Sequence, residues 1–308
     1  MAVSTVFTNV LIMIFYMSCG YILVKIKKAT ADHAKSLSGV LIYVCGPCMV
    51  ISSFQSMPYS MDVFKKAMLF FAVSIVIMLI FYGIMMLIFR KRLEQPKYRM
   101  LTVASIMGNV GFFGLPVITG IFPDEPIAAC YSTLYTAGMS VLAFSIGVFM
   151  LTSDKRHISF RHAFLNPSMA AAIIAVPFYL LQIKFPQPVS DTLGFLGKMT
   201  TPICMIVLGM RLSSMKFAHV FTRGFAYVAC AMKLIVFPLF AYGCVYFIPG
   251  IDDVFKISLC ILSSAPTAAM LLSLAEQYEC ERKICANVVL ISTLGSLITM
   301  PLIALLVG

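Results

Sequence analysis

Two stretches of this 308-residue sequence carry residue types from which a binding site can be built. The first reads Gly108-Asn109-Val110-Gly111-Phe112-Phe113-Gly114-Leu115-Pro116. Three glycines at three-residue spacing lower helix propensity, and Pro116 disfavours helical backbone at Leu115, so a broken helix is expected. The second, Ser263-Ser264-Ala265-Pro266-Thr267, surrounds a proline with small hydroxyl residues that can satisfy or replace freed backbone hydrogen bonds. Proline suits the first position of a helix, so each proline is expected to start a second half-helix. Two such N-termini meeting would each present about +0.5 of an elementary charge, and together they would attract an anion. Either stretch alone is as well read as a proline kink or a close-packing Gly-x-x-Gly face. Their corresponding positions in two halves of the chain point to a binding site.

The remaining reactive side chains narrow the chemistry. All 12 Asp and Glu lie in connectors or at the ends of apolar runs, so neither a carboxylate proton relay nor a carboxylate sodium site is expected. Two lysines do lie inside apolar runs. Lys233 can pair with an anionic substrate, cap carbonyls freed by a broken helix as a fixed stand-in for a cation, or sit deprotonated; the second role is favoured. Lys198 either snorkels to the nearer membrane face or meets the substrate. Cys45-Gly46-Pro47-Cys48 has the form of a thioredoxin-type motif, which needs an exposed helix N-terminus beside a βαβ unit. Here it lies within an apolar run and reads as a proline kink. The other eight Cys lack metal-ligand spacing, and His33, His157, His162 and His219 fall in connectors or at their edges. No metal, cofactor or catalytic set is therefore expected, and the chain does not read as an enzyme.

The elements that must position these residues are membrane helices. Hydrophobic residues make up 61% of the chain and charged ones 11%, against about 45–50% and about 25% in soluble domains. Ten apolar runs fall near 3–24, 37–56, 67–89, 100–122, 127–151, 166–184, 190–210, 225–248, 255–276 and 284–307, each close to the length of about 20 residues that spans a bilayer. The first run has nothing basic before it and Lys25, Lys27 and Lys28 after it, so it reads as a retained span, not a cleaved signal. Seventeen of the 23 Lys and Arg sit in the odd-numbered connectors. By the positive-inside rule those connectors are cytoplasmic and both termini lie outside. The net charge of +11 is thus explained by topology, without a nucleic-acid partner. Ten spans divide into 1–152 and 153–308, five each, and an odd number per half inverts one half against the other. Gly39 to Pro47 and Gly194 to Pro202 share a spacing, and Pro116 and Pro266 occupy corresponding spans.

Several motifs, in order, resemble the auxin efflux carrier family in its short bacterial form. They are Gly108-Asn109 with Gly114-Leu115-Pro116, Asn166-Pro167, Thr201-Pro202 with Leu208-Gly209-Met210, Ala265-Pro266-Thr267 with Ala275-Glu276-Gln277-Tyr278, and Ile291-Ser292-Thr293-Leu294 through Pro301. The resemblance implies an all-α membrane fold of two inverted five-helix repeats, shared with bile-acid symporters, in which helices 4 and 9 cross at their prolines. It further implies a scaffold of helices 1, 2, 6 and 7, often dimeric, and an elevator-like transport domain of helices 3–5 and 8–10. The implied substrate is a small organic acid, such as an auxin-like acid, malate or malonate, with Asn109 helping to bind the carboxylate. The candidate binding residues are then Gly108, Asn109, Gly114, Pro116, Ser263, Ser264, Pro266 and Thr267, with Lys198 and Lys233 in charge roles. A sodium-coupled symporter and a membrane sensor of the same ligand are the alternatives.

Overall fold

The computed structural model describes residues 2–154, 156, 167–214 and 224–307. Asn166 and the connector residues Lys155, His157, Arg161, His162, Lys216, His219 and Arg223 lie outside the described residues. Among the described residues every regular element is helical. Six helices are long and apolar enough to cross a membrane: Asp32–Ser56, Met61–Phe89, Pro126–Thr152, Gln187–Ser213, Gly224–Tyr246 and Arg282–Val307. Leu11–Lys25 and Met169–Leu180 are shorter apolar helices. Two further apolar runs are split, into Pro96–Ala104 and Leu115–Ile121, and into Asp253–Ser263 and Ala269–Gln277. Helices begin earlier than the apolar runs where a polar first turn precedes them. Met61–Phe89 therefore carries Lys65 and Lys66, and Ala31–Val40 carries Lys35, which the hydropathy pattern assigns to connectors.

Large apolar side chains cover the outside, with Phe15, Tyr43, Leu87, Phe195 and Leu306 each about two-thirds exposed or more, whereas Lys233, Ser258, Ser263, Ser264 and Ser292 are fully buried. Apolar groups outside and polar groups inside is the arrangement a hydrocarbon solvent requires. The chain is an integral membrane protein.

Three prolines share one local device. Pro47, Pro116 and Pro238 each follow a single wide turn, Leu41–Cys45, Val110–Gly114 and Met232–Val236, in which an N–H reaches back five residues: Gly46 to Leu41, Leu115 to Val110, Phe237 to Met232. A proline inside a helix lacks the N–H for its own bond, and its ring meets the carbonyl four residues back. Widening the preceding turn relieves that clash without ending the helix. Pro116 consequently does not start a half-helix; it falls inside a helical run over 110–121 whose first residue follows Asn109. Nor does Pro266 start one, because it lies in the extended break, three residues before Ala269–Gln277. Both corrections place the helix starts where backbone conformation changes, at Asn109 and Ala268.

Ala2–Lys25 packs along Thr200–Ser214, and Gly46–Ser56 packs on Pro167–Leu180 and Gln187–Lys198. Elsewhere Met61–Phe89 packs on Pro126–Leu142, Phe237–Tyr246 on Asp253–Ser263, and Gly224–Ala231 on Arg282–Val307. The connector before Asp253–Ser263 is tied to Met61–Phe89 by Asp252, which accepts hydrogen bonds from Lys66 Nζ at 2.8 Å and from the Phe255 N–H at 2.9 Å. Partial burial pushes the Asp252 carboxyl up, but the Lys66 and Phe255 hydrogen bonds and the charges of Lys66 and Lys256 together hold it below its ordinary value. A carboxyl held low in the folded state adds stability above its unfolded pKa, near 3.9, and loses it as pH falls through the folded value. The pair is solvent-exposed, so Asp252→Asn is expected to cost no more than about 1 kcal/mol at pH 7. The melting temperatures of variant and parent should converge as the pH falls below the ordinary carboxylate range.

Candidate functional site

The two broken helices meet at their breaks. Gly108 and Thr267 form an antiparallel bridge. The Asn109 N–H donates to the Pro266 carbonyl at 2.6 Å, and the Ala268 N–H donates to the Met107 carbonyl at 3.1 Å. Backbone that leaves a helix inside a membrane has no water to satisfy it, and here each break supplies partners for the other. The crossing therefore lies at Gly108–Asn109 and Pro266–Thr267, with Pro116 further along the helical run that follows Asn109. Helical backbone begins immediately after the crossing in both segments, at Val110 and at Ala269. The first N–H groups of a helix lack intrahelical acceptors, so two sets of such donors start beside one another.

The side chains at the crossing are buried and mostly engaged. Asn109 is 8% exposed, and its side chain lies beside the Cys204 thiol on Thr200–Ser214. Ser263 Oγ lies 3.2 Å from the Tyr135 hydroxyl, and Ser264 Oγ turns back to the Ile261 carbonyl at 2.7 Å. The Thr267 N–H is held by Ser292 Oγ at 3.1 Å, whereas its hydroxyl is buried without a partner among the described residues. A buried hydroxyl with no partner is a polar group awaiting a ligand or water. Lys233 is fully buried, donates to the Ser263 carbonyl at 2.7 Å and stands 4.9 Å over the Phe237 ring. A Cβ added to Gly108 would lie 3.0 Å from Lys233 Nζ, so this glycine lets the lysine reach the break. Gly114 faces Leu262 on the partner half-helix closely enough that a Cβ would sit 2.9 Å from Leu262 Cδ2.

Two of the candidate residues lie elsewhere. Pro116 and Lys198 line a cavity of about 460 Å³ between Ala2–Lys25, Gly46–Ser56, Leu115–Ile121 and the two helices Gln187–Lys198 and Thr200–Ser214. Its wall carries the hydroxyls of Tyr16, Ser52, Ser53, Ser56, Thr119 and Thr201, one cation and no acid. The volume falls in the range of about 300–1,000 Å³ typical of small-molecule sites. Lys198 is exposed at the end of its helix. Sequence reasoning missed the hydroxyl lining. Ser52 and Ser56 are four residues apart and so share a helix face, which is a signal. In an apolar helix, however, such groups commonly bond back to their own backbone, as Ser53 does to Met49. Tyr135, Met139 and Ser292, which touch the crossing from neighbouring helices, carry no such pattern; the Gly108 N–H lies 3.1 Å from Met139 Sδ. Among the described residues no group of three or more His, Cys, Asp or Glu is arranged to hold a metal ion.

Paired broken helices within an apolar helical body are a feature of many membrane transporters. The chain belongs to the membrane transport protein family, whose model matches residues 5–160 and 151–304, and which is the family of the auxin efflux carriers. It is similar to an uncharacterized transporter of Methanocaldococcus jannaschii, 28% identical over 284 residues that cover 88% of this chain and 89% of the relative. It is also similar to an uncharacterized transporter of Methanothermobacter thermautotrophicus, 27% identical over 216 residues that cover 69% of each. The protein is a multi-pass membrane transporter.

Proposed function

We propose that the protein is a secondary transporter of small organic anions, auxin-like acids or mono- and dicarboxylates, and that the substrate carboxylate docks beside the crossing. The observation that carries this reading is the convergence of two helix starts with the Asn109 amide and the unpartnered Thr267 hydroxyl. Helix starts favour negative charge, and no described acid forms a salt bridge at the crossing to compete for it. The adjoining cavity has room for such an acid and offers it Lys198 and hydroxyls.

In this reading the ten apolar runs are ten spans forming two inverted repeats, 1–152 and 153–308. Spans 1, 2, 6 and 7 form a scaffold that pairs two copies, and the rest move as a transport domain. The packing of Ala2–Lys25 on Thr200–Ser214 and of Gly46–Ser56 on its two neighbours supports the scaffold grouping. The cavity lies between that group and Leu115–Ile121, where a moving site would exchange its access. Both termini face outward from the cell membrane, a reading supported by the excess of Lys and Arg in the odd-numbered connectors.

The test is a thermal-shift screen of the purified protein over auxin-like acids, dicarboxylates and branched-chain acids. A ligand at 100 times its Kd should stabilise the folded state by about 2.7 kcal/mol. Saturable stabilisation by one acid class and not by its amide is expected; equal response to acid and amide, or none to any acid, contradicts an anion site.

A further inference from the structure

The crossing has a second pole that anion binding does not use. Where two half-helices start, two others end, and Asp253–Ser263 ends at the residue whose carbonyl Lys233 holds. Lys233 Nζ also lies against Gly108, in the segment that follows the end of Pro96–Ala104. Helix ends carry about −0.5 of an elementary charge, and in carriers with broken helices the unwound carbonyls and these ends coordinate the coupling cation. Lys233 brings an ammonium to this place from a third element, the wide turn Met232–Val236. It is fully buried, its partners are a carbonyl oxygen and an aromatic face, and no described acid forms a salt bridge with it. A buried cation without an acid is costly inside a membrane unless a dipole is aimed at it, as the Ser263 carbonyl at the end of its helix is.

We infer that the Lys233 ammonium is a built-in cation at the crossing, filling the position that a coupling sodium ion fills in other carriers with broken helices, so that this carrier works without an added cation. The inference rests on the site's being at the crossing, but its test needs no substrate, so it can fail while the anion reading stands and the reverse.

The experiment compares wild type, Lys233→Ala and Lys233→Met, measuring melting temperature of the full chain against sodium chloride, methylammonium chloride and choline chloride at constant ionic strength. Lys233→Ala leaves a space facing the Ser263 carbonyl that a small cation can enter, whereas Lys233→Met fills it. The expected result is a saturable rise of several degrees for Lys233→Ala in methylammonium or sodium, absent in choline, with wild type and Lys233→Met indifferent to the choice of cation. Lys233→Ser serves as a second small variant, and both small variants are purified with methylammonium present. Saturable stabilisation of the wild type by sodium overturns the inference. So does a Lys233→Ala protein no more responsive than Lys233→Met, or failure of both small variants to fold even with the ion present.

Discussion

Gly209→Leu is expected to prevent recovery of a folded, monodisperse protein, and Gly209→Ala to cost about 3 kcal/mol or more. Ala2–Lys25 and Thr200–Ser214 approach backbone to backbone. A Cβ on Gly209 would run into the Met17 carbonyl oxygen and lie 2.9 Å from the Tyr21 nitrogen, and a Cβ on Gly20 would run into the Ile206 carbonyl oxygen. Both obstructions are main chain, so no rotamer change relieves them and one whole helix must shift. Small residues at such contacts are how membrane helices gain packing where no hydrophobic force drives them together. Gly83, with nothing within 4 Å of an added Cβ, provides the control. Gly83→Ala should be neutral or slightly stabilising, since alanine favours helix by about 1 kcal/mol over glycine. Size-exclusion profiles and melting temperatures in one detergent measure both. If Gly209→Ala melted with Gly83→Ala, the close approach of these two helices would be wrong.

Asn109→Ala is expected to reduce transport by about 10- to 150-fold, the worth of one hydrogen bond to a charged group, about 1.5–3 kcal/mol. The backbone of Asn109 builds the crossing through its N–H to Pro266 and its carbonyl to the Phe113 N–H, and alanine keeps both. Only the amide is lost, together with its contact to Cys204. Melting temperature should therefore move little while uptake falls. Cys204→Ala separates the two roles: it removes the same protein contact and leaves the amide free for substrate. Equal transport by the alanine variant and the parent would remove Asn109 from the binding site.

The course of the helices was largely legible because hydropathy and the spacing of basic residues are long-range signals that each span repeats. The crossing was legible in part. The glycines of 108–114 announced weak helix, but the break opened at Asn109 and not at the proline, because the turn Val110–Gly114 widened enough to carry Pro116 inside a helix. Pro266 did mark its break, where Ala265 bends out of the last helical turn and Thr267 is bridged to Gly108. The lysine at 233 stood out as a charge in an apolar run, yet only the fold brings it to Ser263, 30 residues away. Groups that meet across helices, such as Tyr135 with Ser263 and Asn109 with Cys204, leave no periodic trace. Their partners are set by how helices pack and not by any neighbour in the chain.

The most direct test of an organic-anion carrier with its site at the crossing is counterflow in sealed proteoliposomes. Vesicles preloaded with the acid selected by thermal shift are diluted into a trace of the same acid in labelled form, with wild type and Asn109→Ala compared. A transient accumulation of label above equilibrium is expected with wild type, reduced at least about 10-fold in the variant. An acid that binds and stabilises the protein without any counterflow would contradict it and mark the protein as a binder of the ligand, not its carrier.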